Sequence, residues 1–138
     1  MKLLEQVKMV FVKHEWRPLE IPAGHKNLYR YLDEFPEERK SDKYSSPKDD
    51  RYFINKYRKH IPPGWYGFSL GNPIIPVWCD IIEEVIELCI TNDPDFEIHQ
   101  IKVKMGRICF YTDSNIIEDT DEIDMFFERT LSDPALVY

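Results

Sequence analysis

The sequence predicts an α+β fold: a small antiparallel sheet built on one β-hairpin at about 96–112, packed by three or four helices. Three observations carry this. Residues 96–105 alternate, with Ile98, Gln100, Lys102 and Lys104 on one parity and Ile101, Val103 and Met105 on the other. Gly106-Arg107 then supplies a turn, and Ile108 to Thr112 reads as the returning strand. On either side of this hairpin, apolar residues recur at helical spacing. At 138 residues the chain reads as a single domain, 1–138, long enough to bury a core.

Taken in order, Lys2 to His14 predicts a first helix with Leu3, Leu4, Val7, Val10 and Phe11 on one face. The run Met9-Val10-Phe11-Val12 makes a strand its competitor. Residues 17–24 hold two prolines and a glycine and read as irregular. Lys26 to Phe35 places Leu28, Tyr31, Leu32 and Phe35 at helical spacing, ended by Pro36. Ser46-Pro47-Lys48-Asp49 reads as a serine N-cap with proline at the first helical position, opening a helix to about His60 that buries Phe53, Ile54 and Tyr57. Ile61 to Pro76 is a Pro/Gly-rich connector in which Trp65 is expected to be buried, pinning the segment to the core. Asn72-Pro73 opens the longest helix, to about Ile90, with Ile74, Trp78, Ile81, Ile82, Val85, Leu88 and Cys89 as its apolar stripe. After the hairpin, a last helix from Thr120 to about Leu131 buries Ile123, Phe126 and Phe127.

Charge divides the chain. Residues 1–72 hold 14 Lys/Arg and 10 Asp/Glu, whereas residues 73–138 hold 4 and 15. The net charge of −7 therefore combines a basic first half with a strongly acidic second half. Asp80, Glu83, Glu84 and Glu87 fall at i, i+3, i+4 and i+7, so four acids share one helix face without a cation among them. Like charges at that spacing cost about 0.2–0.5 kcal/mol per pair. Extended by Asp119, Asp121 and Asp124, this stripe is expected to face outward and engage a basic partner. The competing arrangement sets it against Arg51, Arg58 and Lys59 of the first half.

A second candidate site is basic. Arg51, Arg58 and Lys59 lie in the aromatic-rich segment 51–60, and Gln100, Lys102 and Lys104 share a strand face with Arg107 at the turn. Such residues suit an anion or nucleic-acid patch, with Lys and Arg on phosphates and aromatics under bases. The bland reading is a solvated helix face and an open sheet face.

Other chemistry finds little footing. Three cysteines without paired spacing fit a reducing compartment, and Cys79 and Cys89 lie about 15 Å apart along one helix, too far for a disulfide. The histidines share no spacing with them, so no zinc site is expected. Asp119, Asp121 and Asp124 near Glu128 fail as a calcium loop, because Ile123 stands where a ligand is needed and no central glycine follows. Asp95 with Gln100 and Lys102 is a poor nuclease constellation, since a second acid is not evident. No catalytic constellation, metal or cofactor is expected. Neither is a signal peptide or a membrane-spanning helix, so the location expected is cytoplasmic.

Gly64-Trp65-Tyr66, then Trp78-Cys79-Asp80-Ile81-Ile82-Glu83, then residues 100–111 together resemble a family of small uncharacterised proteins of phages and prophage regions. In that family the strand pair typically reads Gln-Val-Lys-Glu-Lys-Phe-Gly-Gly-Leu-Arg-Phe-Tyr. Gln100, Lys102, Lys104, Gly106, Phe110 and Tyr111 follow the pattern, and Val103, Arg107 and Cys109 depart from it. The family's C-terminal cysteine pair is missing here, so no metal role carries over. The resemblance implies a fold unit and a mobile-element setting, not a reaction.

The leading functional expectation is a small acidic cytosolic binding protein, phage- or prophage-encoded. It would act by protein–protein interaction as an inhibitor or anti-defence factor against a basic host target. The alternatives are a nucleic-acid or nucleotide binder using the basic and aromatic residues, and an enzyme of unrecognised type.

Overall fold

The computed structural model describes residues 2–17, 24–25, 27–71, 74–104 and 107–130. Among them are six helices and a three-stranded mixed sheet, an α+β fold. Helix α1, Leu3–Lys13, buries Leu3, Val7, Val10 and Phe11, so the helical period prevails over the β-branched run. Asn27 caps α2, Leu28–Glu34, by accepting a hydrogen bond from the Arg30 N–H at 3.1 Å. A short helix α3, Pro36–Arg39, follows.

Helix α4 runs Asp50–Lys56 and starts later than the Ser-Pro signal suggests. Its cap is Asp49, which accepts from the Tyr52 N–H at 3.0 Å. Ser46 instead accepts from Lys48 N–H at 3.0 Å in the turn before it. A 3-10 turn, Arg58–His60, ends the segment. Helix α5, Pro76–Asn92, buries Trp78, Cys79, Ile81, Ile82, Val85, Ile86 and Cys89. It opens at Pro76, later than the expected start. Residues 72–73 lie outside the described residues, but Ile74 and Ile75 are described and not helical, Ile75 being extended (φ −83°, ψ 119°) ahead of a proline at the first helical position. All three cysteines are free and buried, and burial pushes the Cys79 and Cys89 thiols up to about 12.

The expected hairpin is β2, Glu97–Lys104, antiparallel to β3, Arg107–Asp113; of the expected turn Gly106-Arg107, position 106 lies outside the described residues, and Arg107 already belongs to β3, opposite Lys104. A third strand joins it from the Pro/Gly connector. β1, Gly67–Ser69, pairs parallel to β2, with Phe68 opposite Ile101, and α5 is the crossover between them. Gly67 makes this docking feasible: its φ of +77° is unfavourable for a side chain, and a Cβ there would meet the Ile61 side chain at 2.5 Å.

The alternation in β2 is broken. A bulge between Ile98 and Gln100 sets both His99 and Gln100 opposite Tyr111, so Ile98 and Ile101 both turn inward despite their opposite parity. Helix α6, Thr120–Thr130, closes the inner side of β3, with Phe127 stacked on Phe110 at 4.2 Å. Phe11 of α1 meets Phe126 and Phe127 edge-on at 5.0 and 5.4 Å. Phe53 of α4 stacks on Phe68 at 4.9 Å. Helices α4 and α6 thus pack on the inner face of the sheet, with α1 against α6. No described helix is long and apolar enough to cross a membrane.

Candidate functional site

The acids of α5 do not form an uncompensated outward stripe. Lys48 Nζ reaches Asp80 at 2.7 Å and Glu83 at 3.0 Å, while Lys56 Nζ reaches Glu83 at 3.0 Å and Glu87 at 3.6 Å. Lys13 Nζ lies 2.6 Å from Glu84, and His14 Nε2 lies 3.6 Å from it. Tyr52 donates its hydroxyl to Glu83, whose side chain is only 17% exposed. Burial pushes the Glu83 carboxyl up, but the bonds from Tyr52, Lys48 and Lys56 outweigh it and hold it at about 2. The cations come from the basic half, though from Lys13, Lys48 and Lys56 rather than Arg51, Arg58 and Lys59.

The C-terminal acids part company as well. Asp119 accepts from the Leu4 N–H at 3.0 Å, supporting the start of α1. Asp124 turns inward and accepts from Thr112 Oγ1 at 2.9 Å and from the Thr112 N–H at 3.3 Å, which occupies a backbone donor of β3. Burial raises the Asp124 carboxyl to about 7, the Thr112 hydrogen bonds opposing it. Asp121 alone of the three is exposed.

The basic candidates fall into two groups on opposite sides of the sheet. Arg51, Arg58 and Lys59 are exposed, but α4 packs on the inner side through Phe53 and Phe68. Arg58 donates to Asn55 at 2.9 Å. Gln100, Lys102, Lys104 and Arg107 share the outer face, because their partners across the strands alternate with the buried Ile101, Ile108 and Phe110. Lys104 stands directly opposite Arg107, a like-charge pair, and Arg107 reaches back to Glu128 of α6 at 3.7 Å. Among the described residues neither Lys102 nor Lys104 has a carboxylate partner. Lys102 Nζ lies instead 5.8 Å from the centroid of Tyr111, on the same face.

Trp65 is not buried. The indole is 50% exposed and lies parallel to the His99 ring, with centroids 4.4 Å apart and planes 4° from parallel. A connector rich in proline and glycine turns at Gly64, and the hydrogen bond from Trp65 N–H to Pro62 O, 3.2 Å, holds it over the start of β1. Tyr66 beside it is 77% exposed and Tyr111 is 49% exposed. His99 also approaches Glu97 at 3.1 Å.

The outer face therefore has three zones: cations at Lys102, Lys104 and Arg107, aromatics at Tyr111 and Trp65–His99, and acids at the paired positions Glu97 and Asp113. The face offers positive charge to an anion and flat rings to another flat ring. Sequence reasoning located the cations by their alternation but missed His99 and Tyr111, which the bulge aligns. An exposed reading of Trp65-Tyr66 was the available signal for the rest. The chain matches no family model, no curated protein and no solved structure.

Proposed function

We propose that this protein works by binding, and that its contact surface is the outer face of the sheet, where it takes an anionic partner. One observation carries the reading. In a half with 15 acids and 4 cations, three of those cations, Lys102, Lys104 and Arg107, stand together on one sheet face, two of them directly opposite each other. Like charges so placed are mutually unfavourable, and a bound anion relieves them. The other binding reading, a phage-borne inhibitor that offers the acids of α5 to a basic host protein, loses its motive, because Lys13, Lys48 and Lys56 already occupy them.

Chromatography on immobilised heparin tests this. A chain of net charge −7 without a local cation patch flows through. Retention at low salt, released as salt rises, is expected, because at 0.1 M attraction between exposed charges is already screened beyond about 10 Å and its range shortens further with salt. Lys102→Glu with Lys104→Glu should remove retention while leaving the circular dichroism spectrum unchanged, both side chains being partly or fully exposed. Flow-through of the unmodified protein at low salt would overturn the reading.

A further inference from the structure

We infer that the anion is single-stranded nucleic acid, held by its phosphates at the cationic end of the sheet and by its bases on Tyr111 and the Trp65–His99 stack. The inference rests on the outer-face reading above and adds the ligand's class.

The aromatic zone is what selects it. A sulfate-rich polymer or an acidic peptide would use Lys102, Lys104 and Arg107 but would have nothing for a half-exposed indole to do. A nucleic-acid strand needs both parts at once: cations along its backbone and flat apolar rings under its bases. Trp65 is unusual in being large, half exposed and yet held. One of its faces lies against His99 at 4.4 Å, and Pro62 O accepts its backbone N–H. A ring fixed in this way gives up little conformational freedom when a base stacks on it.

Tyr111 is the second platform. It stands across the strand pair from Gln100, with the ammonium of Lys102 near its ring. The bulge brings these platforms together, because it places His99 beside Gln100 on the outer face instead of in the core. Gln100 lies between them with an amide that can donate to or accept from a base edge. Glu97 and Asp113, opposite each other beyond the aromatics, repel further phosphates and confine the contact to a short stretch of strand. A duplex fits poorly, since its bases are already stacked on one another and its rings do not reach a flat sheet.

The experiment titrates the 138-residue chain with a dT oligomer, the matching duplex and a polyglutamate peptide of equal charge, following tryptophan emission and fluorescence anisotropy. Of the three tryptophans, Trp78 is buried in the core and Trp16 is partly buried against Phe11 of α1, so the part of the quenching that Trp65→Leu removes reports on Trp65. The single strand is expected to bind and to quench, more tightly than duplex or peptide. With three cations engaged, the slope of log K against log salt should be about −2. Trp65→Leu and Tyr111→Leu should each weaken the single strand about tenfold without altering retention on heparin. Equal binding of the peptide, equal binding of the duplex, or oligomer binding that leaves Trp65 emission and the Trp65→Leu affinity unchanged would overturn the nucleic-acid assignment and leave the anionic face standing. Loss of heparin retention together with all three ligands would overturn both.

Discussion

Trp65 and Trp78 show how little residue type says about placement. Both follow proline-rich segments, yet Trp78 is 3% exposed in the core and Trp65 is half exposed on a histidine. Trp78→Ala should cost about 3–5 kcal/mol, and Trp65→Ala only about 1 kcal/mol, the worth of one ring stack. Urea denaturation of the two variants checks the contrast. Two carboxyls behave as oppositely as the two indoles. Asp124 releases its proton at about 7 when folded, against 3.8 ordinarily, because burial outweighs the hydrogen bonds from Thr112. The unfolded chain therefore ionises first, and this contribution to stability is full below about 4 and lost as pH rises through 7. At Glu83 burial is outweighed by Tyr52, Lys48 and Lys56, and the folded value falls to about 2 from 4.5. Its contribution is present above about 4.5 and lost as pH falls through 2. Melting temperature against pH should thus fall on both sides of about pH 4–5. Asp124→Asn should flatten the decline between pH 4 and 7, and Glu83→Gln the decline below 4.5.

At the level of the element, α5 has two faces with different debts to the rest of the chain. Its apolar face is satisfied by helical periodicity and needs only a core to meet. Its acidic face is unfavourable by itself, and Lys48 and Lys56, each touching two acids, reverse that. Changing Glu83, Glu84 and Glu87 to Lys together would set three cations against Lys13, Lys48 and Lys56. Glu83 is enclosed and the other two are more exposed, so the loss should be about 2–3 kcal/mol, dominated by Glu83. Chemical denaturation of the triple variant beside Glu84→Lys alone measures it; a triple variant as stable as the parent would mean that these contacts are not held in solution. In the hairpin, the bulge re-aims a single residue, His99, and that displacement moves Ile98 into the core.

Over the whole molecule, the charge asymmetry resolves into a division of labour. Cations of the first half neutralise α5, so the acidic half is not acidic where it meets the basic one. Three of the second half's four cations, Lys102, Lys104 and Arg107, are left on the opposite side of the sheet, where Lys102 and Lys104 have no carboxylate partner among the described residues. Packing follows the same plan: α1, α4, α5 and α6 meet on the inner face, and the outer face carries the half-exposed rings of Trp65 and Tyr111.

By itself the sequence determined the elements whose cause is local. Apolar spacing in α1, α5 and α6 and alternation in the hairpin depend on neighbours a few residues away, so they are legible in any surroundings. Tertiary structure decided whatever depends on a partner far along the chain. β1 is three residues, too short to have a period, and exists because β2 offers it an edge. The acids of α5 look unpaired until Lys48, more than thirty residues earlier, is brought beside them. Trp65 lies in a connector without periodicity, and its exposure was settled by Gly67, the docking of β1 and the position of His99. A single extra residue in β2 then set Glu97 and Ile98 out of step with the alternation that runs from Gln100 onward, so that Ile98 joins the core and His99 lies beside Gln100.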